Sequence, residues 1–281
     1  MLPHYRLLAI DVDGTLVDSR DRLTPGTRAA LRRTTAAGIR VVLATGRRYR
    51  HTLHLVEPLG ICVPLVTASG ALVKHPADHR TLYKTEFDAR LLGDLLAILD
   101  RAGYDALLNA DTFHEGFDFF RPEKPRENRF LAEYFTLNPG AGRAWPDFFI
   151  SPPPGVFAGF VMGTRDEMLA IERLLHASLP GQIATHVLRS PRYRGFMCEL
   201  IPAGVSKWTA VRRLASQWGI ADGEICAVGD DVNDIPMIRS AGLGVAMGNA
   251  VPEVKAAADR IAPTHDNDGL VEVVGWLIDG N

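Results

Sequence analysis

Short apolar runs ending in acids, glycine or threonine alternate, along the first part of the chain, with segments whose apolar residues recur every three or four positions. The first kind predicts buried strands, the second helices with one face turned inward. Leu7–Ile10 reads as a strand running straight into Asp11. Thr24, Pro25 and Gly38 then bracket a helix as N-cap, first-turn proline and C-terminal glycine. Residues 39–44 are the next strand, the chain from Gly46 to Pro58 is helical, and residues 63–67 are another strand. Strands alternating with helices predict an α/β protein with a parallel, doubly wound sheet.

A second pattern begins near residue 84. Asp88 opens a helix in which Leu91, Leu92, Leu95, Leu96 and Leu99 keep helical spacing until Gly103. Residues 104–108 read as a strand. The stretch 121–155, rich in Pro and Gly, reads as an irregular excursion around one short helix. A strand at 156–162 follows, then a capping box of Thr164 and Glu167 opening a helix to about Ala177. Pro180 and Gly181 break that helix before strands at 183–188 and 196–201. After Pro202 the first pattern returns, with a helix from Ser206, a strand at 225–228, a turn of acids, a short helix and a strand at 243–246. The chain therefore divides into a core, residues 1–83 and 202–281, and an inserted α+β domain, residues 84–201. No internal repeat is visible.

Composition fits this division. At about 150 residues per domain, 281 residues leave room for two domains or one with a large insertion. Lys and Arg total 31 against 33 acids, a net charge of -2, which points to no nucleic-acid or membrane-surface partner and instead to a small molecule handled locally. Cys62, Cys198 and Cys226 are odd in number, far apart and in apolar surroundings, as reduced thiols packed like small hydrophobes in a cytoplasmic protein would be. The first apolar run is too short for a signal sequence, and no stretch approaches the roughly 18 residues of a membrane span. Oligomeric state leaves no readable mark.

Ligands of open parallel sheets bind beyond the carboxyl ends of the strands. Three predicted strand ends carry polar groups: Asp11 and Asp13, then Thr45, then Asp230, Asp231 and Asp234. Any one Asp reads as a cap or turn residue, and for Asp231 that reading stands. As a set, carboxylates sharing one edge repel and need a cation between them. Oxygen donors without His or Cys select Mg²⁺ over Zn²⁺. Asp11-Val12-Asp13-Gly14-Thr15 is the strongest signal, since such a pattern arises by chance in roughly 0.5% of chains this long. Alternate residues leaving a strand aim two carboxylates at one target, one as nucleophile and one as acid/base, and spacing does not say which. Gly14 permits a sharp turn there. Lys207, one of only five lysines, follows the N-cap Ser206, where its charge opposes the helix dipole. It adds little to helix stability there, but with free helix N–H groups it makes an anion site that suits a phosphoryl group.

These residues carry a resemblance. Asp11-Val12-Asp13-Gly14-Thr15, Ala44-Thr45-Gly46-Arg47, Gly204-Val205-Ser206-Lys207 and Gly229-Asp230-Asp231-Val232-Asn233-Asp234 resemble, in order, the four motifs of the haloacid dehalogenase superfamily. The cap-sized insert and Met247-Gly248-Asn249-Ala250 resemble its Cof-type, sugar-phosphatase-like branch. Two departures stand out: Ser69-Gly70-Ala71 where that branch usually has Asn-Gly-Ala, and Trp208 where Gly is common after the lysine. The resemblance implies a doubly wound, Rossmann-like core with an α+β cap, and a Mg²⁺-dependent phosphatase acting on a small phosphorylated metabolite such as a sugar phosphate. It implies that Asp11 attacks phosphorus to form an aspartyl-phosphate while Asp13 serves as acid/base. Mg²⁺ would lie between Asp11, Asp230 and the Asp13 carbonyl. Thr45, Gly46, Lys207 and Asn233 would hold the phosphoryl group, Asp234 would orient the metal shell or Lys207, and the cap would choose the substrate.

Two rivals share this chemistry: a phosphotransferase or phosphomutase passing the phosphoryl group to a hydroxyl, and a phosphorylated signalling module that does not turn over. Other features read more plainly. Gly242, Gly244 and Gly248 are turn glycines, and the pairs His51 with His54 and His75 with His79 face solvent. In the insert, His114, Arg121, Arg192, Tyr193 and Arg194 read as surface residues ahead of the alternative reading, contact with substrate.

Overall fold

The four apolar residues of Leu7–Ile10 form strand β1, buried throughout as a central parallel strand must be. The computed structural model describes residues 4–189 and 193–279. From β1 the chain runs through helix α1 (Pro25–Ala36), β2 (Arg40–Ala44), α2 (Tyr49–Leu59), β3 (Leu65–Thr67), β4 (Leu72–Lys74) and β5 (Thr81–Lys84). The insert comprises α3 (Ala89–Arg101), β6 (Leu107–Ala110), β7 (Phe119–Pro122), α4 (Arg129–Leu137), β8 (Gly142–Trp145), β9 (Val156–Gly163), α5 (Arg165–Ser178), β10 (Ile183–Leu188) and β11 (Phe196–Pro202). The chain ends with α6 (Lys207–Gln217), β12 (Ile225–Gly229), α7 (Ile235–Ser240), β13 (Leu243–Ala246), α8 (Pro252–Lys255), β14 (Arg260–Ile261) and α9 (Gly269–Asp279). Two units result: one runs to Tyr83 and resumes at Ser206, the other is Lys84–Val205.

In the first unit, eight strands lie in the order β14-β13-β12-β1-β2-β3-β4-β5. β1 pairs in parallel with both β2 and β12, and the chain winds outward from β1 on one side before returning on the other. The carboxyl ends of β1 and β12 are therefore the point where strand order reverses, the place at which a doubly wound sheet holds its ligand. Trp208, Val211 and Leu214 of α6 pack on Leu7, Ala9, Val42 and Ala227 from one face. Trp208 thus serves as core, burying an aromatic side chain where a glycine would bury none.

The second unit carries six strands in the order β10-β11-β9-β6-β7-β8, antiparallel except for β7 with β8. Leu92, Leu95, Leu96 and Leu99 of α3 join Met168, Ile171 and Leu175 of α5 in one apolar cluster. Burial of each such side chain contributes roughly 1.5–3 kcal/mol. Phe119, Leu131, Tyr134 and Phe160 form a second cluster with α4.

The differences from sequence are local. Residues 121–155 are more regular than their Pro and Gly content suggests, because β7 and β8 add two strands to the insert's sheet. The strand read at 104–108 starts at Leu107, since Asp105 is engaged by the backbone N–H and guanidinium of Arg126. α2 begins at Tyr49 and runs through Pro58 to a left-handed Gly60. β4 and β5 carry no period long enough to be read. Gly244 lies inside β13, where a Cβ would sit 2.0 Å from the Ile238 carbonyl oxygen. Cys198 and Cys226 are buried, but Cys62 is exposed in the loop after Gly60, with His75 Nε2 3.8 Å from its sulfur.

Candidate active site

The backbone N–H of Asp11 still donates to Val228 O at 3.0 Å, so Asp11 is fixed beside β12 at the reversal point. The chain then turns through an extended Asp13 and a left-handed Gly14 with φ +76°. A Cβ on Gly14 would lie 2.1 Å from Asp230 Oδ2, so only glycine lets this turn approach that acid. Asp230 and Asp234 follow β12. Asp234 Oδ2 accepts the backbone N–H of Asp230 at 3.0 Å and of Asp231 at 3.2 Å. Asp231 caps the short turn that follows by accepting from Val232 N at 2.7 Å, the role read for it.

Lys207 stands at the start of α6 with only 2% of its surface exposed. Its Nζ donates to Asp11 Oδ1 at 2.6 Å and to Asp234 Oδ1 at 2.7 Å. The expectation that this lysine does little for the fold fails here. It is a buried cation between two buried carboxylates, and removing one member of such a set is strongly destabilising. Burial disfavours its charge, but Asp11 and Asp234 outweigh burial and hold its pKa above the ordinary lysine value.

Two carboxylate oxygens in this cluster, Asp11 Oδ2 and Asp230 Oδ1, are buried and find no hydrogen-bond partner among the described residues. Asp11, Asp230 and Asp234 present oxygens within 4.8 Å of one another. If all three carboxylates were ionised, one ammonium would leave two negative charges uncompensated, and without a further cation the cluster answers by holding protons. Burial, despite Lys207, pushes Asp11 up to about 8; burial and then the Asp11 charge push Asp230 up to about 9. Both Asp234 oxygens are committed, so the unpaired pair on Asp11 and Asp230 is what remains for a ligand. An all-oxygen donor set with a charge deficit of two fits a hard divalent cation.

Thr45 is fully buried; its hydroxyl accepts the backbone N–H of Arg47 at 3.0 Å, and its carbonyl accepts Ser69 N at 3.0 Å. Gly46 is exposed on the turn between them. Asn233 is buried and donates to Ser69 Oγ at 3.4 Å, so the serine that replaces the usual asparagine is the neighbour of a candidate phosphate ligand. Ser69 and Gly70 have φ of +51° and +107°, and a Cβ on Gly70 would meet Ser206 O at 2.1 Å. That turn is thereby pressed against the N-terminus of α6.

Asp13 lies close enough for its charge to raise the Asp11 carboxyl further, after burial and Asp234. Arg47 holds Asp13 with two hydrogen bonds, Nε to Oδ2 at 2.8 Å and Nη2 to Oδ1 at 2.7 Å. The motif quoted in sequence contains Arg47 but gives it no role. Asn249 is a second such residue: its Nδ2 donates to Gly14 O at 2.9 Å and to Asp230 Oδ2 at 3.2 Å, fixing the acid whose other oxygen is unpaired. Both sit inside recognisable segments, so the signal was present without the contact that explains it.

The remaining sequence candidates lie elsewhere. Tyr193 packs on Tyr134, and its hydroxyl accepts from Asn138 Nδ2 at 3.2 Å. Arg121 donates to the Pro122 and Glu123 carbonyls, His114 and Arg194 are exposed, and Arg192 lies outside the described residues. The four histidines join no group of metal-ligating side chains among the described residues. No helix there is long and apolar enough to cross a membrane.

The chain is similar to known proteins over nearly its whole length. The family profile of haloacid dehalogenase-like hydrolases matches residues 8–274. Phosphatase YwpJ of Bacillus subtilis is 29% identical, with 97% of this chain and all of that protein covered. The 5-amino-6-(5-phospho-D-ribitylamino)uracil phosphatase YitU of the same organism is 25% identical, with 94% of each chain covered. Among solved structures, a haloacid dehalogenase-like hydrolase from B. subtilis superposes with a TM-score of 0.78 at 27% identity, covering 97% of this chain and 99% of that one.

Proposed function

Given that the chain belongs to the haloacid dehalogenase-like hydrolase family, we propose that it hydrolyses the phosphate monoester of a small, polyhydroxylated metabolite through an aspartyl-phosphate. The observation that carries this reading is the buried charge deficit at Asp11 and Asp230, with Lys207 beside it. Asp11, aligned through Oδ1 by Lys207, attacks phosphorus as the bond to the alcohol breaks. Asp13 gives the leaving oxygen its proton. Water then surrenders a proton to Asp13 and attacks the same phosphorus, which frees Asp11 and inorganic phosphate. Thr45, Gly46, Asn233 and the N-terminus of α6 hold the phosphoryl oxygens, and Lys207 offsets the charge that gathers there. Asp11, Asp230 and the carbonyl of Asp13 would hold Mg²⁺, which when bound supplies positive charge to the phosphoryl oxygens. Asp234 keeps Lys207 and the Asp230 turn in place.

The phosphorylated ribityl compound in the name of the YitU relative supports a polyol ester as substrate class. Residues 84–201 are the part to which we assign substrate choice. Replacing them by a short linker between Lys84 and Pro202 is expected to depress turnover of hexose phosphates more than that of p-nitrophenyl phosphate; equal losses would make the insert structural only.

A panel of phosphate monoesters with Mg²⁺ tests the whole reading. Phosphate release over many equivalents is expected. Transfer to an added alcohol in place of release marks a phosphotransferase, and a single labelled equivalent without turnover marks a signalling module.

A further inference from the structure

The role of Arg47 goes beyond the phosphoryl chemistry. Its side chain is only 8% exposed, against 39% for Asp13 and 31% for Asp21, the two carboxylates it serves. Its backbone is fixed on both sides: N–H donates to Thr45 Oγ1 and carbonyl accepts from Ala68 N, each at 3.0 Å. The guanidinium grips Asp13 through two parallel hydrogen bonds, and Nη2 also reaches Asp21 Oδ1 at 2.5 Å. Nη1 is buried without a partner among the described residues. An arginine buried at that cost is poorly explained by surface solubility or by helix support.

Asp21 is itself held from behind. It sits in a left-handed turn with φ +59°, inside a loop that Asp18 closes by accepting from the backbone of Arg22 at 2.9 Å. His54 Nε2 lies 3.8 Å from its other oxygen. Rigid backbone thus supports Arg47 and a fixed loop supports Asp21, so that a fixed guanidinium fork is presented to the half-exposed Asp13. A planar fork with two donors sets both the position and the plane of a carboxylate, which a lysine cannot do. Because Nη2 is shared, one arm can release Asp13 while Asp21 still satisfies it.

We propose that Arg47, anchored by Asp21, is the positioning residue that aims Asp13 at the oxygen leaving phosphorus. This rests on the reading of Asp13 as the acid/base. Arg47 itself makes no contact with the reacting atoms; its effect passes through Asp13.

The test compares Arg47→Ala, Arg47→Lys and Asp21→Asn with Asp13→Asn, singly and as the double variant Arg47→Ala with Asp13→Asn, on a hexose phosphate and on p-nitrophenyl phosphate. An alkoxide leaves only with a proton, whereas p-nitrophenolate leaves without one. Arg47→Ala should lower kcat for the hexose phosphate by about 100-fold, the scale of a misplaced catalytic group, and affect p-nitrophenyl phosphate much less in the phosphorylation step, with KM little changed. Arg47→Lys should recover only part of the loss, and Asp21→Asn should show the same leaving-group pattern more weakly. The double variant should be no slower than Asp13→Asn. Equal losses on both esters with a raised KM would place Arg47 on the substrate and overturn the proposal. Multiplicative losses in the double variant would make Arg47 structural and overturn it too. If Asp13→Asn itself lacks the leaving-group pattern, the acid/base reading of Asp13 is what fails.

Discussion

The carboxyl edge of the core sheet and the sheet of the insert are built from the same materials and treat charge in opposite ways. At the core edge, Asp11, Asp234 and Lys207 are buried beside a half-buried Asp230, and two carboxylate oxygens are unpaired among the described residues. In the insert, Asp105 is equally buried but takes both the backbone N–H and the guanidinium of Arg126, and Glu199 meets His186 at 3.0 Å. The insert's sheet is filled by aromatic contacts such as Tyr134 with Phe160 and Phe117 with Phe120. Charges that satisfy one another hold a structure in place. Charges buried without enough partners cost stability and are retained where a ligand completes them.

The largest way to break this contrast is to remove the nucleophile. Asp11→Asn should abolish the phosphoenzyme with every substrate and cut turnover by about 10⁴-fold or more. Asp13→Asn should still be phosphorylated by p-nitrophenyl phosphate and then stall, because no base activates water. Mass spectrometry of quenched samples should show a phosphate adduct on the Asp13 variant and none on the Asp11 variant. The reverse pattern would exchange their roles.

Lys207→Ala comes next. Loss of one preorganised cation near the phosphoryl group should cost roughly 2–4 kcal/mol in kcat/KM. It also leaves Asp11 and Asp234 buried without their cation, so the melting temperature should fall even without substrate. A variant with native stability and native kcat/KM would remove Lys207 from both the chemistry and the support of the site.

A third effect separates the two regions by pH. In the metal-free protein Asp230 is raised to about 9 by burial and then by Asp11, whereas an unfolded carboxyl titrates near 4. Between those values the folded state holds the extra proton, so stability is present at low pH and is lost as pH rises through the folded pKa. With EDTA, the melting temperature should therefore fall progressively from pH 6 to 9. Mg²⁺ should reverse the drop most strongly at pH 9, and Asp230→Asn should lessen it, leaving the share of Asp11, which burial raises to about 8. A melting temperature insensitive to Mg²⁺ across that range would remove the cation from the site.

The same contrast explains what could be read in advance. Asp11, Asp230, Asp234 and Lys207 were legible because each breaks a local rule: acids crowd one sheet edge, and a lysine opposes a helix dipole. Strands such as Leu7–Ile10 and helices such as α3 were legible by period. Arg47 and Asn249 were not assigned, because their meaning lies in contacts 34 residues and 235 residues away along the chain. β7 and β8 were hidden for a related reason. Their strand character comes from pairing across the insert's sheet, which Pro and Gly content cannot report.

The finest test uses one local device that occurs in both regions. Thr164 caps α5 in the insert: its Oγ1 accepts Glu167 N at 3.3 Å, and Glu167 Oε2 accepts Thr164 N at 2.7 Å. Ser206 caps α6 in the core in the same reciprocal way with Thr209, at 3.2 Å and 2.9 Å. Thr164→Ala and Ser206→Ala should each cost about 1 kcal/mol of stability, the usual value of an N-cap. Their effects on turnover should differ. The residue after Ser206 is Lys207, whose Nζ is aligned on Asp11, and the carbonyl of Ser206 lies against Gly70. Loosening this cap shifts a cation that must be placed to within a fraction of an ångström, so kcat should fall severalfold with p-nitrophenyl phosphate, the substrate least dependent on Asp13. Loosening the Thr164 cap moves nothing that touches the phosphoryl group, and kcat for that substrate should stay native below the melting transition. Matched stability losses with matched kcat in the two variants would show that the first turn of α6 is no more tightly coupled to the chemistry than a helix of the insert.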